Sequence, residues 1–186
     1  MKRGCLRLLR PKYRQGKSVY QPTLPSVQKT KEKDVVIVTN YATEDKNLQN
    51  MIADFRAALP YESRVINLRE FPFSGGCLGC FGCAITGKCV YKDGFDAYLR
   101  TQIQNADAFV YAFTISDHYT HSSFKCYDDR QFCNGHRTVT HGTPIAYLIS
   151  GNYRYESNLR MILEPEVRWE VTTCAVWPLM RRHSGG

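Results

Sequence analysis

Four cysteines, Cys77, Cys80, Cys83 and Cys89, fall within thirteen residues in the pattern C-x2-C-x2-C-x5-C. Thiolates are soft ligands, and four on one short stretch suit an iron–sulfur cluster or a tetrahedral metal. Gly75, Gly76, Gly79, Gly82 and Gly87 surround them, so the backbone is free to curl. Structural zinc more often joins two CxxC knuckles across a longer spacer, whereas here the third cysteine follows at once. Zinc, and a loop of reduced cysteines with no metal, remain the competing readings. A second group of reactive types lies in residues 117–141: Asp117, His118, His121, Cys126, Asp128, Asp129, Arg130, Cys133, His136 and His141. Their spacing matches no ligand pattern, so a polar lid with Asp129 and Arg130 paired is expected, rather than a second metal site or an acid–base pair. Cys5, Cys126, Cys133 and Cys174 read as ordinary thiols.

The elements that must position these residues follow from the apolar pattern. Val35–Val38 form a continuous apolar run within residues 34–39, which is the mark of a strand buried on both faces. Leu48, Met51, Ile52, Phe55 and Leu59 follow helical spacing up to Pro60. Strands are predicted at 64–68, 108–113 and 144–149. Helices are predicted after Asp93, through Phe95, Tyr98, Leu99 and Ile103, and around 158–163. Strand and helix in alternation give a parallel sheet with helices on both faces. Such sheets bind ligands beyond the carboxyl ends of their strands. The loops 40–47, 113–121 and 150–155 and the cysteine loop all leave strand ends, so they are expected on one edge.

Length and composition narrow the class. With 186 residues, 43% hydrophobic and 12% aromatic, the chain is long enough for one domain with a sizeable core. No apolar run is long enough to span a membrane, and no export signal follows Met1, which points to the cytoplasm and to reduced thiols. Residues 1–33 hold ten Lys/Arg against Glu32 alone, a charge of +9 in a chain whose total is +8, so the rest is near −1. Residues 1–33 are therefore expected to be a basic, poorly ordered extension and 34–186 the folded domain. Nucleic-acid binding through that arm is disfavoured, because the arm carries no recognised motif and the rest has no basic excess.

From about Val35 to Leu163 the chain resembles the flavodoxin-like NAD(P)H-dependent oxidoreductases, and iron–sulfur flavoproteins in particular. The resemblance rests on Cys77, Cys80, Cys83 and Cys89 followed by Val90-Tyr91-Lys92-Asp93. It rests also on the third strand running towards Lys125, Asp129 and Arg130. It implies a three-layer flavodoxin-like parallel sheet and FMN at the strand ends. It implies a 4Fe–4S cluster on the four cysteines, with zinc as the alternative. The activity implied is electron transfer from NAD(P)H or a ferredoxin-type donor, in a protein able to form homo-oligomers. The positions matching the flavin loops are Asn40, Thr43, Lys46 and Asn47; Phe113, Thr114, Ile115, Ser116 and His118; and Gly151 and Asn152. No side chain is assigned as an acid–base catalyst. Glu44 and Asp45 place negative charge beside the expected phosphate, although carboxylates there are also ordinary helix caps. A degenerate binding module with a zinc or empty cysteine loop and no flavin is therefore the second reading.

The carboxyl end departs from this pattern. The helical period stops after Glu164. Synonymous codons for Trp169–Gly185, read in a shifted frame, give a glycine-rich strand entry and an acidic turn. A frameshift near Val167, with the last strand and helix missing or altered, is the expectation.

Overall fold

The structure, a computed structural model, describes residues 20–21, 25–135, 139–169 and 175–177. Five strands form one parallel sheet in the order β2-β1-β3-β4-β5. They are β1 (Thr30–Thr39), β2 (Tyr61–Asn67), β3 (Ala108–Thr114), β4 (Ile145–Ser150) and β5 (Ala175–Trp177). This 2-1-3-4-5 order is the flavodoxin-like version of the doubly wound sheet. The central strand explains the apolar run. Val35–Val38 bond to β2 on one side and β3 on the other, so both their edges and both their faces are covered.

Alternation sorts the core into two layers. Val35 and Ile37 face helix α1 (Lys46–Ala58), which inserts Leu48 and Ile52 against Val110, Ala112 and Leu148. Val36 and Val38 face the other way, with Phe109, Tyr111, Phe113 and Tyr147. That second face is covered by α3 (Phe95–Tyr98), α4 (Ser122–Arg130) and α6 (Ser157–Trp169) through Phe95, Phe124, Tyr127, Leu159 and Leu163. Helix α3 continues as one wider, π-type turn over Leu99–Ile103. Two short helices complete the set, α2 (Gly82–Thr86) in the cysteine loop and α5 (Phe132–Gly135) after α4.

Several boundaries differ from the sequence expectation, and β2 begins at Tyr61 and not at Arg64. β1 begins at Thr30 and not at Asp34, because Thr30 pairs with Tyr61 ahead of a bulge. Residues just before it are tied to α1: the Val27 N–H donates to the Ala57 carbonyl and Lys29 Nζ donates to the carbonyls of Arg56 and Leu59. Helix α6 runs on to Trp169, past the expected stop at Glu164. The last strand is present but short, with Ala175–Trp177 paired to Ala146–Leu148. The remainder of the basic arm and of the region assigned to a frameshift lies outside the described residues. No helix among the described residues is long and apolar enough to cross a membrane.

Candidate functional site at the carboxyl edge of the sheet

Because every strand pair is parallel, the loops after β1, β3 and β4 emerge at the same edge, as the alternation required. Hydrogen bonds knit them together. Asn40, buried at the end of β1, donates from Nδ2 to Ser123 Oγ at the start of α4 (3.2 Å). Its carbonyl accepts from Arg69 Nε at 2.6 Å. Asn47 Nδ2 donates to Ser150 Oγ at 2.7 Å, closing the first turn of α1 onto the end of β4. The Ile115 N–H donates to the Ser150 carbonyl at 2.9 Å.

The first of these loops bears most directly on an anion. A helix start leaves N–H groups without intrahelical partners. In α1 no side chain caps them, and the first turn carries no acidic residue. Asp45, the residue before the helix, turns its carboxylate back to the Ala42 N–H at 2.8 Å and makes no bond to the helix N–H groups. Thr43 and Lys46 are exposed beside this terminus. Beneath it lies Thr39, on the α1 face of β1 with Val35 and Ile37. Thr39 is fully buried, and its Oγ1 has no hydrogen-bond partner. An orphaned hydroxyl there is costly unless a ligand or water completes it. Asn47, by contrast, has its amide engaged by Ser150 and by the Tyr20 N–H, which donates to Oδ1 at 2.7 Å. It is a tie between elements more than a ligand group.

The other two loops frame the edge. Ser116 and Tyr119 exchange backbone bonds at 2.8 and 3.0 Å around Asp117 and His118, whose φ values are 48° and 66°. Two successive left-handed residues make this a tight type I′ reversal. It projects His118, whose Nδ1 meets Glu156 Oε2 at 2.9 Å and so bridges the loops after β3 and β4. Phe113 points into the core and Thr114 and Ile115 are half-buried, while Ser116 is exposed. Gly151 sits at φ 128°, and a Cβ there would lie 3.1 Å from Ile115. Asn152, its neighbour, is exposed at the entry to a short turn over Tyr153–Tyr155.

The cysteine loop corrects the sequence reading. Among the described residues, no three His, Cys, Asp or Glu side chains are gathered as a metal site would need, so the quartet does not converge. Cys77 and Cys80 are exposed, whereas Cys83 and Cys89 turn inwards and pack on the aromatic core. The cause is local. Phe81 takes a left-handed φ of 55° and starts α2, so the chain reverses between Cys80 and Cys83. Cys89 is held from elsewhere, with Arg130 Nη2 donating to its Sγ at 3.4 Å. The donor set suits a soft metal, but its arrangement fits neither a 4Fe–4S cluster nor zinc.

Arg130 was the residue whose role the spacing hid. It was expected to pair with Asp129. Instead it forms a buried bidentate pair with Asp93, with Nη2 to Oδ1 at 2.8 Å and Nη1 to Oδ2 at 2.5 Å. The guanidinium lies over Tyr91 and Phe95, each at 4.7 Å from the ring centre. Asp129 pairs with Lys125 instead. Only the presence of Asp93 just after the last cysteine hinted at this. Of the described thiols outside the motif, Cys133 is buried, and that burial pushes it up to about 12.

Comparison with protein families gives no match, and comparison with curated proteins gives none. Among solved structures the fold is similar to FerB, a flavoenzyme NAD(P)H:(acceptor) oxidoreductase from Paracoccus denitrificans. The TM-score is 0.53 and the identity 12%, over 82% of this chain and 81% of that chain. At that identity the likeness is one of fold.

Proposed function

We propose that this protein is a flavin-dependent NAD(P)H oxidoreductase that holds FMN at the carboxyl edge of its sheet. The observation that carries the reading is the uncapped start of α1 above the orphaned Thr39 hydroxyl, at the edge where sheets of this strand order bind ligands. The name of the FerB neighbour supports the same class. Thr43, the Lys46 side chain and the first-turn N–H groups of α1 after Lys46, whose own N–H donates to the Glu44 carbonyl at 2.7 Å, would receive the phosphate. The backbone of Thr114–Ser116 and of Gly151–Asn152 would border the ring system, with His118 and Glu156 across its mouth. Bound flavin supplies the hydride acceptance and onward electron transfer that no side chain here can provide. The chain contributes position.

A cluster or zinc on Cys77, Cys80, Cys83 and Cys89 would need Cys77 and Cys80 to turn inwards and Cys89 to leave Arg130. The present arrangement favours an unliganded loop in a flavin enzyme, and the name of the FerB neighbour favours a nicotinamide donor over a ferredoxin-type one. The test is a full-length preparation assayed together for flavin, iron and zinc, and for NADH and NADPH oxidation with an artificial acceptor. Flavin with acceptor-dependent oxidation is expected. A flavin-free protein that oxidises neither nucleotide after FMN is added would overturn the reading and favour the binding module.

A further inference from the structure

The cysteine loop is firmly anchored, yet it leaves large apolar side chains in water. Its ends meet where the Ser74 N–H donates to Asp93 at 3.0 Å, and Asp93 is itself paired with Arg130. Cys83 and Cys89 pack on the aromatic core. Between these anchors, α2 is closed by the Gly87 N–H on the Cys83 carbonyl and by Thr86 Oγ1 on the Gly82 carbonyl, each at 2.9 Å. Leu78, Phe81 and Ile85 nonetheless stand 66%, 63% and 89% exposed. A single exposed apolar residue is ordinary. Three large ones close together on a hydrogen-bonded loop mark a contact surface.

The charge of the loop indicates what it contacts. From Phe71 to Lys92 there is no Asp or Glu, and Lys88 and Lys92 are both exposed. Glu70 precedes this stretch, and Asp93, which closes it, is neutralised by Arg130. The ten Lys/Arg of residues 1–33 add to the same sign. The complement is a surface that is negative outside and apolar beneath. The degree of exposure then favours a fluid partner over a rigid one. A folded protein would need a pocket shaped to each projecting side chain, whereas the acyl region of a bilayer closes round a projection from every side.

We propose that the cysteine loop is a peripheral membrane contact. Leu78, Phe81 and Ile85 enter the boundary between headgroups and acyl chains of an anionic bilayer, while Lys88 and Lys92 meet the lipid phosphates. The proposal does not rest on the flavin reading, since none of these residues belongs to the flavin site.

The test is co-sedimentation of the full chain with vesicles of phosphatidylcholine, alone or mixed with phosphatidylserine. Saturable binding to the mixed vesicles is expected. The double variant Leu78→Ser/Ile85→Ser should weaken it about tenfold or more. Lys88→Gln/Lys92→Gln should also weaken it about tenfold at low salt. Ile85→Trp reports insertion directly. Against the background of Trp169 and Trp177, its added emission should shift to the blue on the mixed vesicles and be quenched by lipids brominated on the acyl chain. Circular dichroism confirms that each variant folds, and if a double variant does not, quenching in Ile85→Trp decides. Three results would overturn the proposal. One is wild-type affinity in Leu78→Ser/Ile85→Ser, which would assign binding to the basic arm. Another is unquenched Ile85→Trp emission. The third is no vesicle binding, with self-association that the double serine variant abolishes, which would make a second copy of the chain the partner.

Discussion

Arg130 and Asp93 place a full ion pair where side-chain exposure is 0% and 5%. Removing one partner of such a pair leaves an uncompensated buried charge, so Asp93→Asn should cost about 3–5 kcal/mol by chemical denaturation. A double apolar replacement will not restore this fully, because Asp93 also accepts from the backbone N–H groups of Ser74 and Phe95 at 3.0 and 3.2 Å. The Arg130 guanidinium, and then those N–H groups, hold the Asp93 carboxyl well below the usual carboxylate range. Its contribution is therefore complete at neutral pH. It is lost as acid falls below about pH 4, where the unfolded chain begins to bind the proton. Melting temperature should drop more between pH 7 and pH 3 in the wild type than in Asp93→Asn. Thr39 supplies the opposite sign. Thr39→Val removes an orphaned hydroxyl, so the flavin-free chain should gain about 1 kcal/mol while FMN retention weakens. The thiols should separate by exposure: in the native protein iodoacetamide should modify Cys77 and Cys80 and spare Cys133 until denaturant is added, as read by mass spectrometry.

At the scale of elements, the loops decide more than the strands. Gly151 must take φ 128° while Ile115 lies 3.1 Å from where a Cβ would stand. Gly151→Ala should lower stability by about 1–3 kcal/mol, and Ile115→Ala in the same chain should recover only the steric part, which thermal melts of the three variants will show. The strands themselves were legible in the sequence. Val35–Val38, Ala108–Phe113 and Ile145–Ile149 are apolar without alternation because each is covered on both faces, and burial of that kind leaves a direct trace in composition. The cysteine loop was not legible. Spacing reports which thiols are close along the chain. It does not report that a left-handed Phe81 would reverse the path, or that an arginine 41 residues beyond Cys89 would draw that sulfur inwards. The break between α4 and α5 left no clear signal either, since Arg130, Gln131 and Phe132 continue a helical composition.

At the scale of the molecule, parallel strands collect the loops of chemical interest at one edge. That edge could be anticipated from strand–helix alternation alone, because parallel pairing leaves the carboxyl ends no other place to go. The residues proposed to meet the flavin were legible only in part. Thr43, Lys46 and Gly151 lie in loops at the carboxyl edge, whereas Asn47 is taken up in joining α1 to β4, and Thr39, one residue before the anticipated loop, reads in the sequence as a strand residue. The basic excess resides in residues 1–33, so removing residues 1–19 should leave flavin content unchanged if the edge alone holds the cofactor.

The account turns on whether that edge receives FMN. The full chain, stripped of any co-purifying flavin, should quench FMN fluorescence to a stoichiometry of one per chain, and Thr39→Val should shift the midpoint to higher FMN concentration. Fluorescence that stays unquenched with wild-type protein in excess would contradict it.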